Sequence, residues 1–203
     1  KINKSLAVEL NKLFLEVIIS NGFDKDALIL LKKKKNIRLI DATNYSFKEK
    51  LRFMSTNEEL LIQTEDLSKF NSRDFKIVSK KKPNSKQMKN LIFAFNICRY
   101  AKSNAIILAS NETTVGIGSG QPSRLDSCQI AINKMKKFMN TNDEVVAASD
   151  AFFPFVDGIE KLVQSGVTAV IQPSGSIRDK EIINFANETN TILVFSKTRH
   201  FRH

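Results

Sequence analysis

The chain holds little of what the common catalytic chemistries require. Its two cysteines, Cys98 and Cys128, fall within helical patterns and share no metal-ligand spacing. A recognisable zinc or cluster motif is therefore excluded, and buried, reduced thiols are expected. The only histidines, His200 and His203, close the sequence. With no cysteine or carboxylate at a zinc-binding interval, a terminal histidine reads as an exposed side chain or, alternatively, as a general base near neutral pH. No apolar run is long enough to span a bilayer and no charged-then-apolar segment opens the chain, so a soluble, intracellular, cytoplasmic protein without a membrane partner is expected. Lys1, and not Met, comes first, which points to a fragment or a processed chain.

What remains is ordinary globular material. The 203 residues are 42% hydrophobic and 26% charged, enough for one large or two small domains with real cores. The net charge of +11 is unevenly placed: residues 1–103 carry 22 of the 32 Lys and Arg and 11 of the 21 Asp and Glu, so residues 104–203 are neutral. The densest runs, Lys32 to Lys35 and Lys80 to Lys82, sit at the ends of expected elements without interleaved aromatics. They read as solvated lysines or as an anion patch.

Periodicity divides the chain near Pro83, giving a first unit over 1–82 and a second over 83–203. In the first, Leu6, Leu10, Leu13, Phe14, Val17 and Ile18 trace one face of a helix over 4–20 that Gly22 closes. A second helix opens at Asp24 or Lys25. Strands are expected at 37–40, 59–63 and 75–79. From Met88 the pattern becomes α/β layering: a helix through Met88, Leu91, Ile92 and Phe95, strands at 105–109 and 113–117, then a helix over 123–139. A strand at 145–148, a helix at 158–165, a strand at 167–171, a helix at 179–189 and a strand at 192–195 follow. Six of the seven glycines and three of the four prolines lie in this half.

The organising stretch is 102–126, where a hydrophobic strand breaks into glycine-rich turns. Gly116, Gly118 and Gly120 alternate where the backbone must bend or approach something closely. Ser123 stands at the N-cap position of the next helix with Arg124 in its first turn, which makes an anion site. The segment 116–124, GIGSGQPSR, lacks the ending of a P-loop and the third glycine of the dinucleotide fingerprint. A structural hairpin turn and a ligand-binding turn both fit. Three further loops leave strand ends carrying polar or aromatic groups, at 149–157, 173–179 and 198–203, and ligands of open α/β sheets lie beyond strand carboxyl ends. The run Phe152-Phe153-Pro154-Phe155 reads as a hydrophobic plug or as an aromatic platform.

Five ordered blocks then resemble one family: KSNAI at 102–106, GIGSGQPSR at 116–124, ASDAFFPFVDG at 148–158, IQPSGSIRD at 171–179 and RHFRH at 199–203. They are similar to the C-terminal part of AICAR transformylase, the folate-dependent half of the bifunctional AICAR transformylase/IMP cyclohydrolases. LLKKKKNIRLID at 30–41 resembles it more weakly. The resemblance implies a pair of cytidine deaminase-like three-layer α/β domains, with 1–82 the tail of the first and 83–203 the second. It implies formyl transfer from 10-formyltetrahydrofolate to AICAR ribonucleotide in purine biosynthesis.

By that resemblance Asn104 matches an Asn beside the transferring formyl group, where an amide orients a carbonyl and stabilises oxyanion charge. Arg124 and Arg199 match nucleotide-facing arginines, and Phe152 an aromatic beside the base. Pro154, Phe155 and Asp157 correspond to the loop that receives the folate ring, with Ser174 and Ser176 in the neighbouring loop. Some members hold a potassium ion with the equivalent of Asp150 nearby. The family's catalytic Lys-His pair belongs to a KHxNPCG-type motif, which does not occur in this sequence, so the isolated chain is expected to bind ligand and to be nearly inactive. Deamination is not implied, because the H-x-E zinc signature is absent. A homodimer, or association with the missing N-terminal portion, is the implied assembly. The alternatives are a non-catalytic binding or dimerisation remnant and, more distantly, a basic nucleic-acid-binding module whose affinity falls steeply with salt.

Overall fold

A computed structural model describes residues 1–46, 51–68, 70–138 and 143–202. The contacts divide it into two units, Lys1–Glu65 and Asp66–His203.

In the first unit α1 (Lys4–Asn11), β1 (Val17–Ser20), α2 (Lys25–Leu31) and β2 (Arg38–Asp41) precede a hairpin of β3 (Leu51–Ser55) and β4 (Leu60–Thr64). The helix expected over 4–20 ends at Asn11, and Val17 to Ile19 form a strand parallel to β2. The physical reason is in the residues: Val17, Ile18 and Ile19 are consecutive β-branched side chains, stiff at χ1 and better suited to a strand. Ile18 alone of the three turns inward, onto Ile2, Ala7, Ala27 and Leu31. Asn3 caps α1 by accepting the Leu6 N–H. Strand β3 has no counterpart in the sequence reading, and the large apolar residues of the hairpin, Leu51, Phe53, Leu60 and Ile62 among them, are exposed.

The second unit contains β5 (Lys76–Ile77), α3 (Ser85–Cys98), β6 (Ile106–Ser110), β7 (Thr113–Gly118), α4 (Arg124–Phe138), β8 (Val145–Ser149), α5 (Val156–Gln164), β9 (Val167–Pro173), α6 (Asp179–Glu188) and β10 (Ile192–Ser196). The expected helix over 123–139 is found to Phe138; Met139 lies outside the described residues. Six strands form one mixed sheet in the order β5-β10-β9-β8-β6-β7, with β8, β9 and β10 parallel. Because β5 pairs with β10 through Ile77 and Val194, the seam between the units falls upstream of Pro83.

Every residue of β6, β8 and β10 is buried, as a sheet covered on both faces requires. On one side Ile107, Val146, Ile171 and Val194 meet Leu91 and Phe95 of α3. On the other, Ile106, Ala147, Val170 and Leu193 meet Ile132, Ile159, Leu162 and Ile182 of the remaining helices. Each large apolar side chain so buried contributes about 1.5–3 kcal/mol. Gly116 and Gly118 allow α4 to lie directly on β7: a Cβ at Gly118 would stand 1.9 Å from the Ser127 carbonyl oxygen, and one at Gly116 2.2 Å from that of Ala131. Their task is close approach. Gly120, at φ +68°, makes the turn.

Candidate functional site

Strand direction decides which loops meet. Because β6 runs antiparallel to β8, with Ile106 opposite Ser149, the residues before β6 lie beside those after β8. The Asp150 N–H accordingly donates to the Ala105 carbonyl at 3.1 Å. β7 ends at the same edge, with Gly118 opposite Ile106, and β9 and β10 run parallel to β8 toward it. A cleft of about 520 Å³ opens there, within the range of small-molecule sites. Asn104, Arg124, Phe152, Pro154, Phe155, Asp157 and Arg199 all line it.

Arg124 is the fixed point of the cleft. It starts α4 and its side chain is only 9% exposed. Nη1 donates to Asn104 Oδ1 at 2.9 Å, Nε to the Phe152 carbonyl at 3.4 Å, and Nη2 stands 3.1 Å from the fully buried Asp150 Oδ1. Burial pulls the guanidinium pKa down while Asp150 pushes it up, and an arginine remains charged throughout. Asn104 is held in turn: its Nδ2 donates to the carbonyls of Gln121 and Pro122 at 2.9 and 3.0 Å, and Ser127 Oγ donates to its carbonyl at 2.8 Å. The turn 119–124 is thereby tied to the start of β6.

The aromatic run divides between the two roles that its sequence left open. Phe153 is a plug, 1% exposed and packed so tightly on Gly158 that a Cβ there would stand 2.6 Å from its ring. Phe152 faces the cleft with the Arg199 guanidinium 4.8 Å from its ring centroid, and Phe155 carries that of Arg178 at 4.7 Å. Both are cation–π distances. Asp157 lies in the first turn of α5, where its Oδ1 accepts the Gly158 N–H at 2.7 Å.

Ser174 and Ser176 are not brought to the cleft wall. Ser174 gives its N–H and hydroxyl to the Ser196 carbonyl at 2.9 and 3.3 Å, and Ser176 Oγ accepts the Arg178 N–H at 3.1 Å. Their loop is instead a support, since a Cβ at Gly175 would meet Arg199 Nη2 at 3.3 Å. His200 corrects the expectation of an exposed terminal histidine. It is 1% exposed, ringed by Phe70 and Phe95, and its Nδ1 is hydrogen-bonded to Asp66 Oδ2. Burial lowers its pKa against the opposing pull of Asp66, so the ring is neutral at pH 7. His203 lies outside the described residues.

With this geometry established, comparison with known proteins is decisive. Residues 1–134 match the family model described as AICARFT/IMPCHase bienzyme. The chain is 44% identical over 200 residues to the bifunctional purine biosynthesis protein PurH of Limosilactobacillus reuteri (strain DSM 20016), covering 97% of this chain and 38% of that protein. It is 43% identical over 203 residues to PurH of Fusobacterium nucleatum subsp. nucleatum, and 41% identical over 203 residues to PurH of Aquifex aeolicus (strain VF5), with 100% of this chain covered in both. The chain belongs to the AICARFT/IMPCHase bienzyme family. It spans about two fifths of the length of the PurH proteins it matches.

The AICARFT/IMPCHase match includes Asn104 and Arg124, while the aromatic loop and the C-terminal tail lie within the span shared with PurH. Two groups at and behind the cleft were not among the residues that the sequence singled out. Phe201 lines the cleft and Asp66 pins the tail; Asp66 and His200 are 134 residues apart, and no local pattern signals such a pair. The cysteines are as expected, buried and free. Burial pushes the Cys128 thiol up to about 12, against nearby Arg124, and raises Cys98 well above its ordinary value, with Asp150 adding to the rise.

Proposed function

We propose that this chain forms the ligand-binding wall of an AICAR formyltransferase, the activity that transfers a formyl group from 10-formyltetrahydrofolate to AICAR ribonucleotide. The observation that carries the proposal is the buried Arg124, aimed at the cleft by Asp150 and Asn104 and joined there by Arg199 over Phe152. Two guanidinium groups and an aromatic face suit a phosphorylated heterocycle. In the transfer the 5-amino nitrogen forms a bond to the formyl carbon, the bond from that carbon to N10 of the folate breaks, and the proton lost by the amine ends on N10. Negative charge builds on the formyl oxygen in between, and donors already in place lower that barrier.

In this reading Phe152 packs beside the base, and Pro154, Phe155 and Asp157, on the exposed lip of the cleft, receive the folate ring. Ser174 and Ser176 act from behind through their loop and Arg199. Asn104 reaches the formyl oxygen by giving up one of its two carbonyl partners, Gln121 or Pro122. The helix–sheet–helix layering of the second unit supports the cytidine deaminase-like arrangement, with 83–203 as the body of that domain and Lys76–Ile77 as an added edge strand.

Potassium fits the residues present. Among the described residues neither oxygen of the fully buried Asp150 carboxylate accepts a hydrogen bond, and its ion pair is with Arg124; a buried carboxylate so placed suits a cation that prefers oxygen. Asp150 would hold the ion, whose charge would help fix that carboxylate. Pairing with a second copy, or with the rest of the enzyme, belongs to the same proposal, and the exposed apolar side chains of the β3–β4 hairpin support it.

The test is calorimetric titration of AICAR ribonucleotide and of a folate into the purified 203-residue chain, with formyl transfer measured on the same sample. Saturable nucleotide binding without turnover is expected. Failure to bind the nucleotide would refute the proposal. Turnover approaching that of the full-length relatives would overturn the expectation that a Lys-His pair outside this sequence is needed.

A further inference from the structure

We propose that Asp66 is a positioning residue for Arg199, acting through His200, so that the segment before β5 sets the anion-binding end of the cleft. The inference rests on the proposed nucleotide-binding role of that cleft. The tail after β10 bonds to Asp150 beyond β8 and to Ser103 before β6, and its neighbouring residues take different surroundings: Arg199 lies over Phe152, whereas the His200 ring has no exposed surface. The ring is a peg in an aromatic box, 4.4 Å from the Phe95 centroid and 5.4 Å from that of Phe70.

A peg in an apolar box can rotate about its own axis unless a polar group fixes it. Asp66 does so, since its Oδ2 is the partner of Nδ1. That bond places the proton on Nδ1 and leaves Nε2, which is buried with no hydrogen-bond partner among the described residues, as the unprotonated nitrogen. The backbone is also fixed on the C-terminal side of Arg199. The His200 N–H donates to the Asp150 carbonyl at 2.9 Å; further on, Arg202 takes the Ser103 N–H on its carbonyl at 2.8 Å and donates Nη1 to the Tyr100 carbonyl at 2.7 Å. His200, adjacent to Arg199, is thus held twice, by its N–H and by its ring, and the ring is the anchor held by a charged side chain that does not line the cleft. The charged groups around it are Asp66, Arg99 and Asp150.

The experiment uses the 203-residue chain and two readouts. Nitrogen NMR of His200 should show the Nδ1–H tautomer, and the Arg199 δ protons should carry an upfield shift from the Phe152 ring. In Asp66→Ala both signatures should disappear, and the Kd for AICAR ribonucleotide should rise about tenfold; Asp66→Asn, which keeps an acceptor, should fall between. Asp74→Ala removes the carboxylate that accepts the Asn71 N–H at 2.7 Å in the same segment without touching His200, and should leave Arg199 in place. Unchanged Arg199 shifts in Asp66→Ala, or equal loss in Asp74→Ala, would overturn the inference. If the parent chain binds no nucleotide, the proposed function fails while the Arg199 and His200 signals still decide whether Asp66 positions the tail.

Discussion

Arg124 Nη2 stands 3.1 Å from Asp150 Oδ1, with the arginine side chain 9% exposed and the aspartate fully buried. The first residue of α4 and the residue that follows β8 are thus joined by one ion pair behind the cleft wall. Removing one partner of such a pair leaves the other charge buried and uncompensated. Asp150→Asn should therefore destabilise the chain by about 3–5 kcal/mol, read as a lowered urea midpoint at constant m-value. A change below about 1 kcal/mol would mean that water reaches Arg124 and that its orientation is not fixed by this pair.

Gly118 and Gly166 should respond to alanine for different reasons. At Gly118 a Cβ would collide with the α4 backbone at 1.9 Å, whereas at Gly166 nothing among the described residues lies within 4 Å and the φ of +96° opposes it. Gly166→Ala should cost about 1–2 kcal/mol. Gly118→Ala should cost that or more by overpacking, and should also weaken nucleotide binding because α4 carries Arg124. Equal affinity in the two variants would separate α4 position from binding.

The thiol of Cys128 should be inert in the folded chain, since burial holds its pKa up at about 12 and only the thiolate is nucleophilic. A disulfide reagent at pH 8 should label it only at the rate of unfolding. The sign of the pH effect follows. The folded pKa lies above the unfolded value of 9.0, so the contribution to stability is complete below pH 9 and is lost as pH rises from there toward 12. Chemical unfolding at pH 7, 9 and 10.5 measures the loss, and a flat profile would contradict it.

Phe152 and Phe155 should separate the two ligands. Phe152→Leu removes the ring under Arg199 and is expected to raise the Kd for AICAR ribonucleotide about threefold to tenfold, while leaving folate binding nearly unchanged. Phe155→Ala, on the exposed lip, should do the reverse. Neither ring is buried, so the melting temperatures should stay close to that of the parent chain. A single variant that impairs both ligands equally would place them in one subsite.

The second unit was legible because its elements obey simple periods. The short, largely apolar runs at 105–109, 145–148, 167–171 and 192–195 read as strands covered on both faces, and β6, β8, β9 and β10 contain them almost entirely. The glycines at 116 and 118 announced a close approach, although not that α4 is what approaches. Where two periods overlapped the reading failed: over 4–20 a helical spacing of leucines runs into three β-branched residues, and the structure breaks the segment into α1 and β1.

What the sequence alone determined is the layered α/β architecture of the second unit, the glycine-rich turn before a helix, and membership of a family through five ordered blocks. Tertiary structure decided which side chains share a space. It placed Phe152 in the cleft and Phe153 in the core, turned Ser174 and Ser176 away from the wall, and buried a terminal histidine against an aspartate 134 positions earlier. The physical reason is that periodicity reports only which face of an element is apolar. Whether a polar or aromatic group is a ligand contact, a support or a peg depends on the strand directions that bring distant loops to one edge of the sheet.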